Sequence, residues 1–127
     1  MIDTIDHFVL TVQSLDATLD FYERVLGFTR DIQPDRPASL KFGSQKINVH
    51  EASHTFEPKS ANPTPGSADF CLITRMDIED VLTHLQSCGV AIEVGPISRN
   101  GALGAMTSVY FRDPDLNLVE ISKYDNP

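Results

Sequence analysis

Two hydrophobic periodicities alternate along this chain, and their order repeats once. From residue 5 to 12 apolar and polar side chains alternate with a period of two, the mark of a half-buried β-strand. Phe8, Leu10 and Val12 share one face, and His7, Val9 and Thr11 the other. Leu15, Leu19, Tyr22 and Val25/Leu26 then recur at helical spacing, forming one apolar stripe of an amphipathic helix. Ser14 or Asp16 caps its start, Asp16 adds negative charge to the first turn, and Gly27 stands where a left-handed residue ends a helix. Strands are expected at residues 28–32, 39–42 and 46–51, with a turn region at 33–37 and a hairpin turn at Gly43-Ser44-Gln45.

From Ala68 the opening pattern returns. Residues 69–73 read as a strand, Asp77 as a helix N-cap with Asp80 in the capping-box position, and Gly89 as the stop. Ile78, Val81, Leu82, Leu85 and Cys88 supply the apolar helix face. A single offset of 62 residues carries His7 onto Asp69 and Gly27 onto Gly89 without a gap. Few residues are identical, so the repeat is one of pattern. A strand at 91–94, a Gly-rich mobile loop at 95–106 and a closing hairpin of 107–112 with 118–124 complete the expectation. The fold class is therefore α+β, with two βαβββ modules in one domain: module one about 1–57, a Pro-rich connector 58–67, and module two about 68–127.

The final strand carries a chemical question. After the turn Asp113-Pro114-Asp115, Val119 and Ile121 face one side, and Leu118, Glu120 and Ser122 the other. A carboxylate centred in such a strand must meet solvent, a partner or a cation. His7, Asp69 and Glu120 occupy comparable strand positions, and Asn48 or His50 lies on the strand that corresponds to Glu120's. An offset of 72 pairs Asn48 with Glu120, an offset of 70 pairs His50 with it, and parity puts both on one face. Imidazole with carboxylate suits Zn, Ni, Fe, Mn or Co. Arg99, in the expected loop, can receive an anionic substrate, and Tyr110 and Arg112 share the face of Ser108.

Composition narrows the partners. The formal charge of -8 argues against nucleic acid and anionic membranes, which both require clustered cations. Cys71 and Cys88 form no Cys-x-x-Cys pair and read as reduced thiols. With no signal-peptide pattern at the start and no run of membrane-spanning length, the expected location is the cytoplasm.

Three stretches carry a family resemblance: residues 5–12 (IDHFVLTV), residues 21–28 (FYERVLGF), and Phe111-Arg112-Asp113-Pro114-Asp115 with Asn117-Leu118-Val119-Glu120. The chain resembles the vicinal oxygen chelate superfamily of glyoxalase I, bleomycin-resistance proteins, extradiol dioxygenases and fosfomycin-resistance enzymes. Residues 46–51 (KINVHE), 56–59 (FEPK) and 63–69 (PTPGSAD) further resemble the glyoxalase-domain-containing protein 5 group, which includes bacterial virulence-associated homologues. The resemblance implies that the paired modules form a curved eight-stranded mixed sheet around a cavity. It implies a divalent metal held by His7, Asp69 and Glu120, with Asn48 or His50 as a fourth ligand. Asp69 departs from the histidine usual there, and if His50 reaches the cavity, His7, His50 and Glu120 restore two histidines and one carboxylate. The implied function is a metal-dependent lyase, isomerase or dioxygenase-like enzyme acting on a small oxygenated substrate, with Glu120 as catalytic carboxylate; the candidate substrate contacts are Asn48, Arg99 by its loop position, and Tyr110 and Arg112 by strand parity. The alternatives it carries are a metal-free binding protein of the bleomycin-resistance type and a non-catalytic virulence-associated homologue. A homodimer is implied as well.

Overall fold

A computed structural model describes residues 1–126. The chain divides between Ser67 and Ala68 into two compact units, each built as βαβββ.

The first unit contains β1 (His7–Val12), α1 (Leu15–Leu26), β2 (Thr29–Asp31), β3 (Ala38–Phe42) and β4 (Gln45–Glu51). Its sheet has the order β1-β4-β3-β2, with β1 and β4 parallel and the other pairs antiparallel. The Ser14 hydroxyl accepts from the Ala17 amide at 3.1 Å and so satisfies one of the amides a helix start leaves open. Gly27 closes α1 at φ 71°, its amide donating to the Glu23 carbonyl. The apolar stripe of Leu19, Tyr22 and Val25 is buried, as are Leu10, Val12, Leu40, Ile47 and Val49 of the sheet. Each such side chain contributes roughly 2 kcal/mol on leaving water. Tyr22, Phe28 and Phe42 extend this core as a run of stacked rings.

The second unit contains β5 (Asp69–Ile73), α2 (Ile78–Ser87), β6 (Val94–Gly101), β7 (Gly104–Arg112) and β8 (Leu118–Tyr124). The order β5-β8-β7-β6, with β5 and β8 parallel, repeats that of the first sheet. Ile78, Val81 and Leu85 of α2 are buried, together with Val109, Phe111, Val119 and Ile121 of the sheet. Among the described residues the eight strands thus form two four-stranded mixed sheets, each with one helix, the α+β arrangement of paired βαβββ modules expected from the sequence.

Two expectations change. The segment 95–106 is not a loop: β6 and β7 pair across it, from Ile97 opposite Ser108 to Gly101 opposite Gly104. Gly95 and Pro96 fall in a register shift between Val94 and Ile97, so these two breakers interrupt no regular stretch of ladder. Asp77 does precede α2, but its side chain makes no capping bond and pairs with the Lys123 ammonium instead. That ammonium holds the Asp77 carboxyl below its ordinary range.

The turn before β8 is built as anticipated from Asp and Asn chemistry. Asp113 Oδ1 accepts from the Asp115 and Asn117 amides at 3.0 and 2.9 Å, and Oδ2 from Asn117 Nδ2 at 2.8 Å. Asn117 Oδ1 accepts in turn from the Ala68 amide at 2.9 Å, which anchors the entry to β5. Among the described residues no helix is long and apolar enough to cross a membrane.

Candidate functional site

In each unit one set of alternating strand side chains forms the apolar core, and the intervening set is a mixture of exposed residues and buried polar ones. All the candidate residues on strands belong to the second set, and strand register decides which can act together.

In the first sheet, parallel pairing sets Lys46 beside His7, Asn48 beside Val9 and His50 beside Thr11. His7 and Asn48 are therefore diagonal neighbours, about 8 Å apart at the backbone. His7 and His50 are separated by four residues, about 13 Å along the strands, and the sheet does not bring them to a common point. The second sheet repeats this geometry. Leu118 lies beside Asp69, Glu120 beside Cys71 and Ser122 beside Ile73. Asp69 and Glu120 are thus diagonal neighbours as His7 and Asn48 are. Since His7 corresponds to Asp69, the counterpart of Glu120 is Asn48, and His50 corresponds to Ser122. The register thus selects the offset that aligns Asn48 with Glu120 over the one that aligns His50 with it.

The individual side chains differ in what they offer. His7 is partly exposed, with Nδ1 2.8 Å from Asp6 Oδ2. A carboxylate only accepts, so Nδ1 carries the proton and Nε2 presents its lone pair, the orientation found where a carboxylate steers a metal-binding imidazole. Asn48 Oδ1 is buried with no hydrogen-bond partner, a neutral oxygen donor left unused by the protein. His50 is only 4% exposed, its Nδ1 also unpartnered, and its ring centroid lies 5.5 Å from that of Phe56. Burial, and then the Lys59 ammonium, pushes the His50 pKa down, while Glu57 opposes them, so the ring favours its neutral form.

On the second sheet Glu120 is half-buried, and its Oε2 accepts from the Ser122 hydroxyl at 3.0 Å. Ser122 also lies 2.6 Å from Ser108 Oγ and 3.2 Å from Cys71 Sγ. Burial pushes the Cys71 thiol up despite Ser122, and the Glu120 charge adds to the rise. Sequence reasoning gave Cys71 and Ser122 no part in the site; the signal was that Ser122 shares Glu120's face on the last strand. Tyr110 stands directly beside Glu120 across β7 and β8. Its hydroxyl accepts from Arg99 Nε at 3.0 Å, and the Arg99 guanidinium lies 5.6 Å from the Tyr110 ring centroid. Arg99 is thus a strand residue coupled to Tyr110. Arg112 is already engaged: it forms a two-pronged pair with Glu93 at 2.9 and 2.8 Å and donates to the Leu116 carbonyl. Each charge favours the other, so the Glu93 pKa falls and that of Arg112 rises.

Among the described residues no three His, Cys, Asp or Glu side chains lie together as a group able to hold a metal. Each sheet supplies a pair of donors: His7 with Asn48, and Asp69 with Glu120. Within its own unit, the first pair offers an imidazole and an amide oxygen and the second two carboxylates, donor types suited to borderline and hard divalent ions respectively.

Comparison with known proteins extends this picture. Residues 4–121 match the family model of the Glyoxalase/Bleomycin resistance protein/Dioxygenase superfamily. The chain is 50% identical over 124 residues to virulence protein STM3117 of Salmonella typhimurium, covering 98% of this chain and 86% of that protein. It is 44% identical over 123 residues to glyoxalase domain-containing protein RDO1 of Mycosarcoma maydis, covering 97% of this chain and 69% of that one. The crystal structure of the Salmonella protein superposes with a TM-score of 0.95 over 98% of both chains. Lactoylglutathione lyase from Agrobacterium tumefaciens, 24% identical, shares the fold at a TM-score of 0.72 over 96% of this chain and 94% of its own.

Proposed function

The chain belongs to the glyoxalase/bleomycin resistance protein/dioxygenase superfamily, and from that premise we propose that it is a divalent-metal-dependent lyase, isomerase or dioxygenase-like enzyme acting on a small substrate with adjacent oxygens. One observation carries this reading: corresponding diagonal positions of the two sheets hold His7 with Asn48 and Asp69 with Glu120. Each pair offers donors to a divalent ion within its own unit, and in the first unit Asn48 does so ahead of His50. Bound there, a divalent ion would act as a Lewis acid toward the substrate oxygens.

The chain's own groups supply the rest. Asp6 fixes the tautomer of His7. Glu120 is the carboxylate that takes up and returns the substrate proton. Tyr110, polarised by the Arg99 hydrogen bond, directs its own hydroxyl proton toward a substrate oxygen. The protein works as a homodimer in this reading, which light scattering checks.

The test is elemental analysis of protein purified without chelator or affinity tag, alongside His7→Ala and Glu120→Ala. Near-stoichiometric metal in the wild type, lost in both variants, is the expected result. Wild-type protein that takes up no added Mn, Fe, Ni, Co or Zn would overturn it. The second reading, metal-free sequestration of a small molecule, is favoured by the buried, unpartnered Asn48 Oδ1 and His50 Nδ1, and that outcome would put it first.

A further inference from the structure

We propose that Ser122 is a positioning residue for Glu120: it holds carboxylate oxygen Oε2 and leaves Oε1 to face whatever the site binds. The proposal rests on the reading of Glu120 as the working carboxylate.

A proton count supports it. Ser122 has one hydroxyl proton and two lone pairs. A carboxylate can only accept, so the 3.0 Å contact to Oε2 consumes that proton. The 2.6 Å contact between Ser108 and Ser122 must then run from Ser108 to Ser122. The two serines are direct cross-strand partners on β7 and β8, and both are 0% exposed. Neither hydroxyl can turn to water, so the direction of the chain from Ser108 through Ser122 to Glu120 is fixed by burial. Cys71 closes the remaining side: its Sγ lies 3.2 Å from Ser122 Oγ, within reach of the second lone pair. The thiol also meets the Leu72 carbonyl, farther away at 3.9 Å, and the Glu120 carboxylate beside it on β8, so Cys71 too holds the inner side of that carboxylate.

The consequence is a carboxylate with two unlike oxygens. Oε2 accepts from a donor that is itself polarised by a second hydroxyl, which strengthens the bond. The rotation of the carboxylate is thereby set, and Glu120 engages a metal or a substrate proton through a single oxygen. The first sheet has no such chain: at the position of Ser122 it carries His50, with Nδ1 unpartnered, so the device belongs to the second unit alone.

The experiment uses full-length protein with glutamate carbon-13-labelled at the side-chain carboxyl. The chain has six glutamates, and Glu120→Gln assigns the sixth resonance. Ser122→Ala is expected to move the Glu120 carboxyl resonance. Ser122→Thr, which keeps the hydroxyl on a residue suited to a strand, is expected to hold it near its wild-type position. Titration with Co(II) alone is expected to show affinity lowered about tenfold or more in Ser122→Ala and restored in Ser122→Thr. A Glu120 resonance unmoved by Ser122→Ala, or moved equally by Ser122→Thr, would overturn the proposal. Should Ser122→Ala not fold, Ser108→Ala must move the resonance in the same variant series, and no movement there counts against the proposal equally. Wild-type protein that binds no Co(II) would remove the metal reading of the previous section, while the carboxyl resonance still decides the role of Ser122.

Discussion

Asn48 and Glu120 hold the same register position in their respective sheets. Each lies on the strand parallel to the first of its unit, beside the second residue after His7 or Asp69. A neutral amide in one half thus stands where the other half has a carboxylate. Asn48→Ala should therefore lower bound Co(II) or Ni(II) in equilibrium dialysis, whereas His50→Ala should leave metal content near the wild-type value. The reverse ranking would reassign the fourth ligand to His50.

His50 should make stability depend on pH. Its folded pKa lies below the ordinary value of 6.5 because its ring is buried. Between those two values the unfolded chain binds more protons than the folded one, so stability rises with pH. Unfolding midpoints in urea should accordingly drop as pH falls below about 6.5 and level off once the folded ring titrates. His50→Gln should flatten this profile; an unchanged slope would exclude His50 as its source.

Asn117 bridges the last turn to the start of β5. It is 1% exposed, and its side chain serves both Asp113 and the Ala68 amide. Asn117→Ala would remove one hydrogen bond from the buried Asp113 carboxylate and one from the part-buried Ala68 amide, at a cost of about 3 kcal/mol. Urea denaturation measures it, and a loss under about 1 kcal/mol would mean that the turn has another brace.

Gly95 sits at φ 115°, and a Cβ there would lie 2.5 Å from the Ser108 carbonyl oxygen and 2.9 Å from Val109 Cα. Backbone cannot yield as a flexible side chain can. Gly95→Ala should cost upward of about 2 kcal/mol and raise amide exchange along β6. Wild-type exchange in the variant would show that the two strands separate without penalty.

The sequence disclosed those features that local chemistry decides. Ser14 and Gly27 announce the ends of α1 because capping involves atoms a few residues apart, and the Asp113–Asn117 turn is legible for the same reason. Asp77 shows where that logic stops: a capping residue by sequence, it is drawn away by Lys123, 46 residues distant. The β6–β7 hairpin was hidden because Gly95, Pro96, Gly101 and Gly104 are the residues from which loops are read. Antiparallel pairing with β7 outweighs them, and only the partner strand reveals it. The alignment of Asn48 with Glu120 was equally out of reach. Parity is a property of one strand, whereas register belongs to two, and Val9 had to be seen beside Asn48 before the repeat could be aligned. The hydroxyl chain behind Glu120 depends on β7 and β8 together, so Ser108 and Ser122, one on each strand, could be noticed but not connected.

The strand orders also determine how either sheet can grow. At one margin of each sheet, addition of a further strand is discouraged: β2 is three residues long, and β6 is broken by a register shift at a proline that has no amide to donate. The opposite margins are β1 and β5, regular strands of six and five residues. A peptide or a second chain that extends either sheet must run along these margins, beside the strands that begin with His7 and Asp69. Main-chain association and ligand capture would then compete for the same border of the fold.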